Sequence, residues 1–132
     1  MGYYSTVRVM TDLENFEKMQ NIFWELAEKN NVDIPSSYPL FPKPGQDPEK
    51  VFDHYDAQEY YLCFGFDNVK WYYHHFDEVN LFMEMLDVAN EYDIPWQFLR
   101  IGEDYSDIEN MESDNFYAKD MPYMTVSVQI KY

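Results

Sequence analysis

The sequence predicts an α+β domain: a two-layer sandwich, mostly antiparallel sheet with two helices, in a ferredoxin-like βαββαβ order with an extra strand and a proline-rich crossover. Three observations carry this. Apolar residues recur at helical spacing in two windows, 12–29 and 77–92. Alternating apolar and polar residues mark strands before, between and after those windows. Five of the seven prolines fall at Pro35, Pro39, Pro42, Pro44 and Pro48, where they forbid a long helix or a central strand.

Residues 4–11 place Val7 and Val9 on one side and Thr6, Arg8 and Met10 on the other, the pattern of a half-buried strand. Thr11-Asp12-Leu13-Glu14 reads as a capping box, in which Thr11 bonds the first-turn amides and Glu14 reaches back. Leu13, Phe16, Met19, Phe23, Leu26 and Ala27 then form the stripe of an amphipathic helix over 12–29, stopped at Asn30-Asn31. The crossover, 32–57, carries Tyr38, Leu40, Phe41, Val51, Phe52 and Tyr55 and should therefore pack on the body, with a short helical turn at 48–53. Residues 59–75 read as a hairpin. Tyr60, Leu62, Phe64 and Phe66 share a face of its first strand, Val69, Trp71 and Tyr73 a face of its second, and Asp67-Asn68 supplies the turn.

The second helix, 77–92, has the stripe Val79, Phe82, Met83, Leu86 and Ala89, widened by Leu81, Met85 and Val88. A helix apolar on two sides lies deep or meets a partner. Asp93-Ile94-Pro95 ends it, a strand follows at 96–101, then a turn at 102–106 and a ragged strand near 108–112. The clearest alternation closes the chain, with Met124, Val126, Val128, Ile130 and Tyr132 facing one way. A length of 132 residues suits one domain, 1–132, with a single core.

Composition limits the function classes. Twenty-five acids against nine bases give a formal charge of −16. That charge favours solubility, opposes direct contact with nucleic-acid phosphates and disfavours an anionic membrane surface. Cys63 is the sole cysteine, which excludes an intramolecular disulfide and suits a reducing cytoplasm. The opening MGYYSTVRVM lacks a basic region followed by an apolar run, so no secretion signal is expected. Its Gly2, with Thr6 or Ser5, fits a loose myristoylation pattern, but the strand that follows favours a buried terminus.

Three blocks stand out: Gly2-Tyr3-Tyr4-Ser5, then Val69-Lys70-Trp71-Tyr72 leading into the helix with Val79, then Phe98-Leu99-Arg100-Ile101-Gly102-Glu103-Asp104 with Asp107-Ile108-Glu109. Together they resemble a family of small uncharacterised proteins of bacteriophages and related mobile elements, which have a VKWY-type strand, a helix and a strand ending RIGED before an acidic strand. The resemblance covers residues 69–109. It implies a phage-type origin and action in the cytoplasm of a bacterial host, and it brings no activity; the proline-rich crossover departs from the pattern.

The acidic stretch after residue 101, with Glu103, Asp104, Asp107, Glu109, Glu112 and Asp114, admits two readings of equal weight. One is a solvated strand edge that prevents sheet-to-sheet pairing. The other is a partner-binding surface whose carboxylates stand where nucleic-acid phosphates would lie, joined by Trp71, Tyr72 and Arg100. Glu14, Glu17, Glu25 and Glu28 on the first helix and Asp77, Glu78, Glu84, Asp87, Glu91 and Asp93 about the second extend the field. Arg100, on the same strand face as Trp96 and Phe98, needs a carboxylate, and Glu103 or Asp104 is the expected one.

No calcium loop, glycine-rich phosphate loop or assignable catalytic triad occurs. His74 and His75, adjacent in an expected strand, would point to opposite faces, and no Cys-rich or His-Glu helical motif supports them or His54, so no metal site or cofactor is expected. Cys63 reads as a small buried residue. The expectation is therefore a non-enzymatic interaction protein that inhibits a host factor bearing a basic surface, such as a nucleic-acid-binding defence enzyme. The alternative is a small-ligand or nucleotide-signal sponge that uses an aromatic sheet face. An uncovered face of that kind would also make a homodimer.

Overall fold

In the computed structural model the chain is described over residues 2–34, 39–73, 75–118 and 120–125. The described elements run β1 (Ser5–Asp12), α1 (Phe16–Lys29), β2 (His54–Ala57), β3 (Tyr61–Val69), α2 (Asp77–Glu91), β4 (Trp96–Ile101) and β5 (Ile108–Glu112), with single 3₁₀ turns at Leu13–Asn15, Pro48–Lys50 and Phe116–Ala118. The strands form one antiparallel sheet in the order β2-β3-β1-β4-β5. This is an α+β two-layer arrangement. The two helices cover the face that carries Val7, Val9, Phe64, Phe66, Trp96 and Phe98. Lys18, early in α1, lies 5.0 Å above the Tyr92 ring that follows α2, so the helices run antiparallel.

The core between the layers is aromatic. Phe23, Phe41, Phe64, Phe82 and Phe98 are fully buried, and the widened stripe of α2 lies deep, with Leu81 and Met85 buried inside this chain. The crossover contributes Leu40, Phe41 and Phe52 to the same core. Its backbone is tied to α1 by the Pro42 carbonyl, which accepts from both Gln20 Nε2 and Trp24 Nε1 at 2.9 Å.

Several local expectations are corrected. The capping box does not form. Thr11 is the penultimate residue of β1, fully buried, and its hydroxyl donates to the Pro95 carbonyl at 2.8 Å. A 3₁₀ turn comes first and α1 begins at Phe16, while Asn15 Nδ2 bonds Asp12 Oδ2 at 2.7 Å.

The 59–75 hairpin is also displaced. Its partners are β2 and β3, so the strand signal lay at the end of the crossover. Tyr60 occupies the bend, where Gln58 N donates to the Tyr61 carbonyl at 2.8 Å. Asp67 makes no hairpin turn. Its amide donates to Asp53 Oδ2 at 2.9 Å and its carboxylate holds Arg8 Nη2 at 2.6 Å. β3 therefore continues to Val69 across a register shift opposite Ser5–Val7, and Trp71 and Tyr73 follow outside any strand.

The sheet face turned away from the helices has little aromatic content, with Tyr61 at one end of β3. Its middle rows are Thr6, Arg8 and Met10 beside Cys63 and Gly65, with Gln97, Leu99 and Ile101 on the other flank. Gln97, fully buried, clasps the Met124 backbone, accepting from its amide at 2.7 Å and donating to its carbonyl at 2.9 Å. Residues 121–125 form no strand, and the rest of the expected final strand, 126–132, lies outside the described residues.

Gly65 is required where β1 and β3 approach. A Cβ there would stand 1.8 Å from the Val7 carbonyl oxygen and 2.8 Å from its carbon. Because backbone on two paired strands must yield, Gly65→Ala should destabilise the fold by about 3 kcal/mol, read from the urea midpoint at unchanged slope. A cost under about 0.5 kcal/mol would show that the strands part freely at this row.

Candidate interaction surface

The acidic block is built on the turn from β4 to β5. Gly102 N donates to the Asp107 carbonyl at 2.8 Å and Asp107 N to that of Asp104 at 2.9 Å. Tyr3 lies across this turn, close enough that a Cβ on Gly102 would stand 2.3 Å from the Tyr3 hydroxyl. That hydroxyl donates to Asp107 Oδ2 at 2.9 Å and accepts from Asp104 N at 3.0 Å. Glu103 Oε2 accepts from Tyr4 N, and the Tyr72 hydroxyl accepts from Tyr3 N, each at 2.5 Å. The amino-terminal segment is thus docked and half-exposed rather than buried.

Arg100 is the centre of this arrangement, only 8 % exposed. The expected partners, Glu103 and Asp104, are replaced by Asp107 and Glu109. Nη2 and Nη1 reach the two Asp107 oxygens at 2.7 and 3.2 Å, Nε bonds Glu109 Oε1, and Nη1 also donates to Ser5 Oγ at 3.0 Å. The Tyr73 hydroxyl donates to the same Glu109 oxygen at 2.9 Å.

Burial opposes the Arg100 charge, but the bonds to Asp107 and Glu109 outweigh it and hold the guanidinium pKa above its ordinary value. Arg100, with help from Tyr3, holds the Asp107 carboxyl below its usual range. Burial and the Glu109 bond push the Tyr73 phenol up to about 12. The three sequence blocks therefore meet in one place: 98–109 neutralises the buried Arg100, Ser5 of the first block bonds it, and Tyr72 of the second holds the Tyr3 amide.

This sorts the expected binding residues. Trp71 is buried, edge-on to Phe82 at 5.2 Å and tilted against Phe98 at 6.0 Å, so it is a core residue and not a contact surface. Arg100 is likewise enclosed and its charge is taken up inside the chain. Tyr72 is half-buried and stacked on Phe76 at 5.6 Å. Asp107 and Glu109 are half-buried partners of Arg100.

Glu103, Asp104, Glu112 and Asp114 remain exposed. The Ser106 amide and hydroxyl lower the pKa of Asp104. Asp114 exchanges hydrogen bonds with the Asn90 amide, which joins the edge to the acidic end of α2. Sequence reasoning missed Ser5, which reaches Arg100 through the register of β1 against β4, and Tyr73, which the loop after β3 brings to Glu109.

Among the described residues no cluster of three His, Cys, Asp or Glu side chains is placed to hold a metal ion. Burial pushes the Cys63 thiol up to about 11, the opposite of an activated nucleophile. Among the described residues no helix is long and apolar enough to cross a membrane. No family model, curated protein or solved structure matches this chain.

Proposed function

We propose that the protein is a small acidic interaction protein that engages a positively charged surface of another protein by placing carboxylates where nucleic-acid phosphates would lie. The observation that carries this is how little of the negative charge is compensated. Among the described residues the ion pairs engage Asp67, Asp107 and Glu109 alone. Lys18, Lys43 and Lys70 instead lie over the rings of Tyr92, Trp24 and Tyr4. The outward positions of the helices add Glu17, Glu25, Glu28, Asp77, Glu84, Asp87 and Glu91, and α2 carries no Lys or Arg. Such a field attracts basic partners over long range and is screened by salt.

The phage-type resemblance makes a bacterial nucleic-acid-binding or defence protein the fitting target, with the host cytoplasm as the place of action. The ferredoxin-like reading of the scaffold is supported by the order β2-β3-β1-β4 within the sheet, to which β5 adds an edge. The sponge reading is favoured less, because Phe64, Phe66, Trp96 and Phe98 of the sheet pack into the helix layer and leave Tyr61 as the aromatic residue of the middle strands on the other face.

Capture from bacterial lysate, followed by affinity measurement on the purified complex, tests the proposal. Raising salt from about 50 to about 300 mM should weaken binding by at least about tenfold. Reversing Glu103, Asp104, Glu112 and Asp114 to lysine should do the same at low salt. Asp107 is left intact because Arg100 needs it. A complex indifferent to both changes would falsify the electrostatic mechanism.

A further inference from the structure

We propose that a tyrosine-lined groove at the end of the sheet opposite Arg100 receives an extended, arginine- or lysine-bearing segment of the partner protein. This rests on the acidic-interaction reading above and gives it a docking point. The groove consists of two recesses, of about 520 and about 510 Å³, which share Asp120 and Met121 as a common wall. Tyr117 and Tyr123 line the first, and Tyr60, Glu14 and Glu59 line the second. Joined recesses of this kind suit successive side chains of one extended chain rather than one enclosed small molecule.

The rings are presented, not stranded. Tyr60, Tyr117 and Tyr123 are 74, 69 and 41 % exposed, against the buried aromatics of the core. Tyr117 and Tyr123 stack on each other at 5.9 Å, and the buried Phe116 supports both edge-on at 5.5 and 6.1 Å. Hydrogen bonds fix their outer ends: the Tyr117 hydroxyl donates to Glu112 Oε1 at 3.2 Å, and Asn110 Nδ2 donates to the Tyr123 hydroxyl at 2.7 Å. Rigid tyrosines offer large contact area at low cost in lost freedom.

Charge decides the occupant. Three rings elsewhere lie under a lysine: Lys18 stands 5.0 Å from the Tyr92 ring, Lys43 5.3 Å from Trp24 and Lys70 5.7 Å from Tyr4. Among the described residues no cation stands over Tyr60, Tyr117 or Tyr123, and no lysine or arginine is among the described lining residues. Glu14, Glu59 and Asp120 face the groove without an ion pair among the described residues. Open ring faces between carboxylates are the complement of a guanidinium or ammonium group.

The test uses a fluorescein-labelled oligo-arginine peptide at low salt, with anisotropy for affinity and amide shift mapping for location. The Tyr60→Leu/Tyr117→Leu double variant keeps apolar bulk and removes the π faces, and its melting temperature checks the fold. The expected result is a loss of roughly five- to thirtyfold, with shifts centred on residues 59–61 and 112–123. A Glu103→Lys/Asp104→Lys control at the far end should lose less.

Unchanged affinity in the tyrosine variant, or shifts confined to 103–114, overturns the groove while the acidic reading stands. No salt-sensitive binding by the unaltered protein overturns both.

Discussion

Phe41→Ala is expected to destabilise the protein by about 4 kcal/mol and to lower the melting temperature by roughly 15 °C. The residue comes from the proline-rich crossover, yet it is fully buried. Its ring stacks on Phe16 at 5.3 Å and Phe23 at 5.5 Å, meets Phe52 and Phe64 edge-on at 5.5 and 5.6 Å, and lies tilted against Phe82 at 6.2 Å. Alanine would remove a ring from the point where both helices, the sheet and the crossover converge. The surrounding rings cannot collapse into the space without leaving their own contacts, so a cavity term adds to the lost transfer energy. Phe41→Leu, which keeps most of the volume, should cost about 1.5 kcal/mol or less. Equilibrium unfolding in urea separates the two. An alanine cost near 1 kcal/mol would mean that the crossover merely lies on the body.

That the crossover would pack was legible, because Leu40, Phe41 and Phe52 are too apolar for a free loop of this composition. Helix positions were legible for the same reason: stripes at helical spacing locate α1 and α2 to within a few residues. What the sequence could not give was register. Asp67-Asn68 has turn chemistry, yet it forms a bulge in β3 opposite Thr6, where the Asp67 carboxylate serves Arg8 and no hairpin turn is made. The four residues of β2 are too few and too polar to announce a strand before the sheet exists to recruit them.

The site divided along the same line. Alternation placed Arg100 on the helix-facing side with Trp96 and Phe98 correctly. Choosing its carboxylates required knowing that the turn folds Asp107 back onto Arg100 while Glu103 and Asp104, both exposed, bond the Tyr4 amide and Ser106. A run of acids in sequence therefore separated into structural and exposed members only once the turn was in place. The exposed tyrosines were invisible as a group, since Tyr60 and Tyr117 are far apart in the chain and share a groove only through the ends of β3 and β5.

The Arg100 cluster gives the second large effect, and it also distinguishes structural charge from functional charge. Asp107→Asn with Glu109→Gln leaves a guanidinium 8 % exposed with no carboxylate, held by Ser5 and neutral amides. Removing the partners of a buried charge in this way is expected to cost about 3 kcal/mol. Adding Arg100→Met to the pair removes the stranded cation and should recover most of that loss, because an apolar side chain of similar length suits a strand face shared with Trp96 and Phe98.

The pH dependence follows from the same contacts. Asp107 has a folded pKa below the ordinary carboxyl value of 3.8, so its contribution is fully present above that value and is lost as pH falls through the lower folded one. Tyr73 has the opposite sense. Its phenol is raised from 10.0 to about 12, so its contribution is present below pH 10.0 and fades as pH rises through about 12. Urea midpoints measured on both sides of neutrality should show these two flanks in the unaltered protein. Asp107→Asn should remove Asp107's own contribution to the acid flank, and Tyr73→Phe should remove that of Tyr73 to the alkaline one. If the triple variant is no more stable than the double, the cost lies in lost packing and hydrogen bonds around the turn.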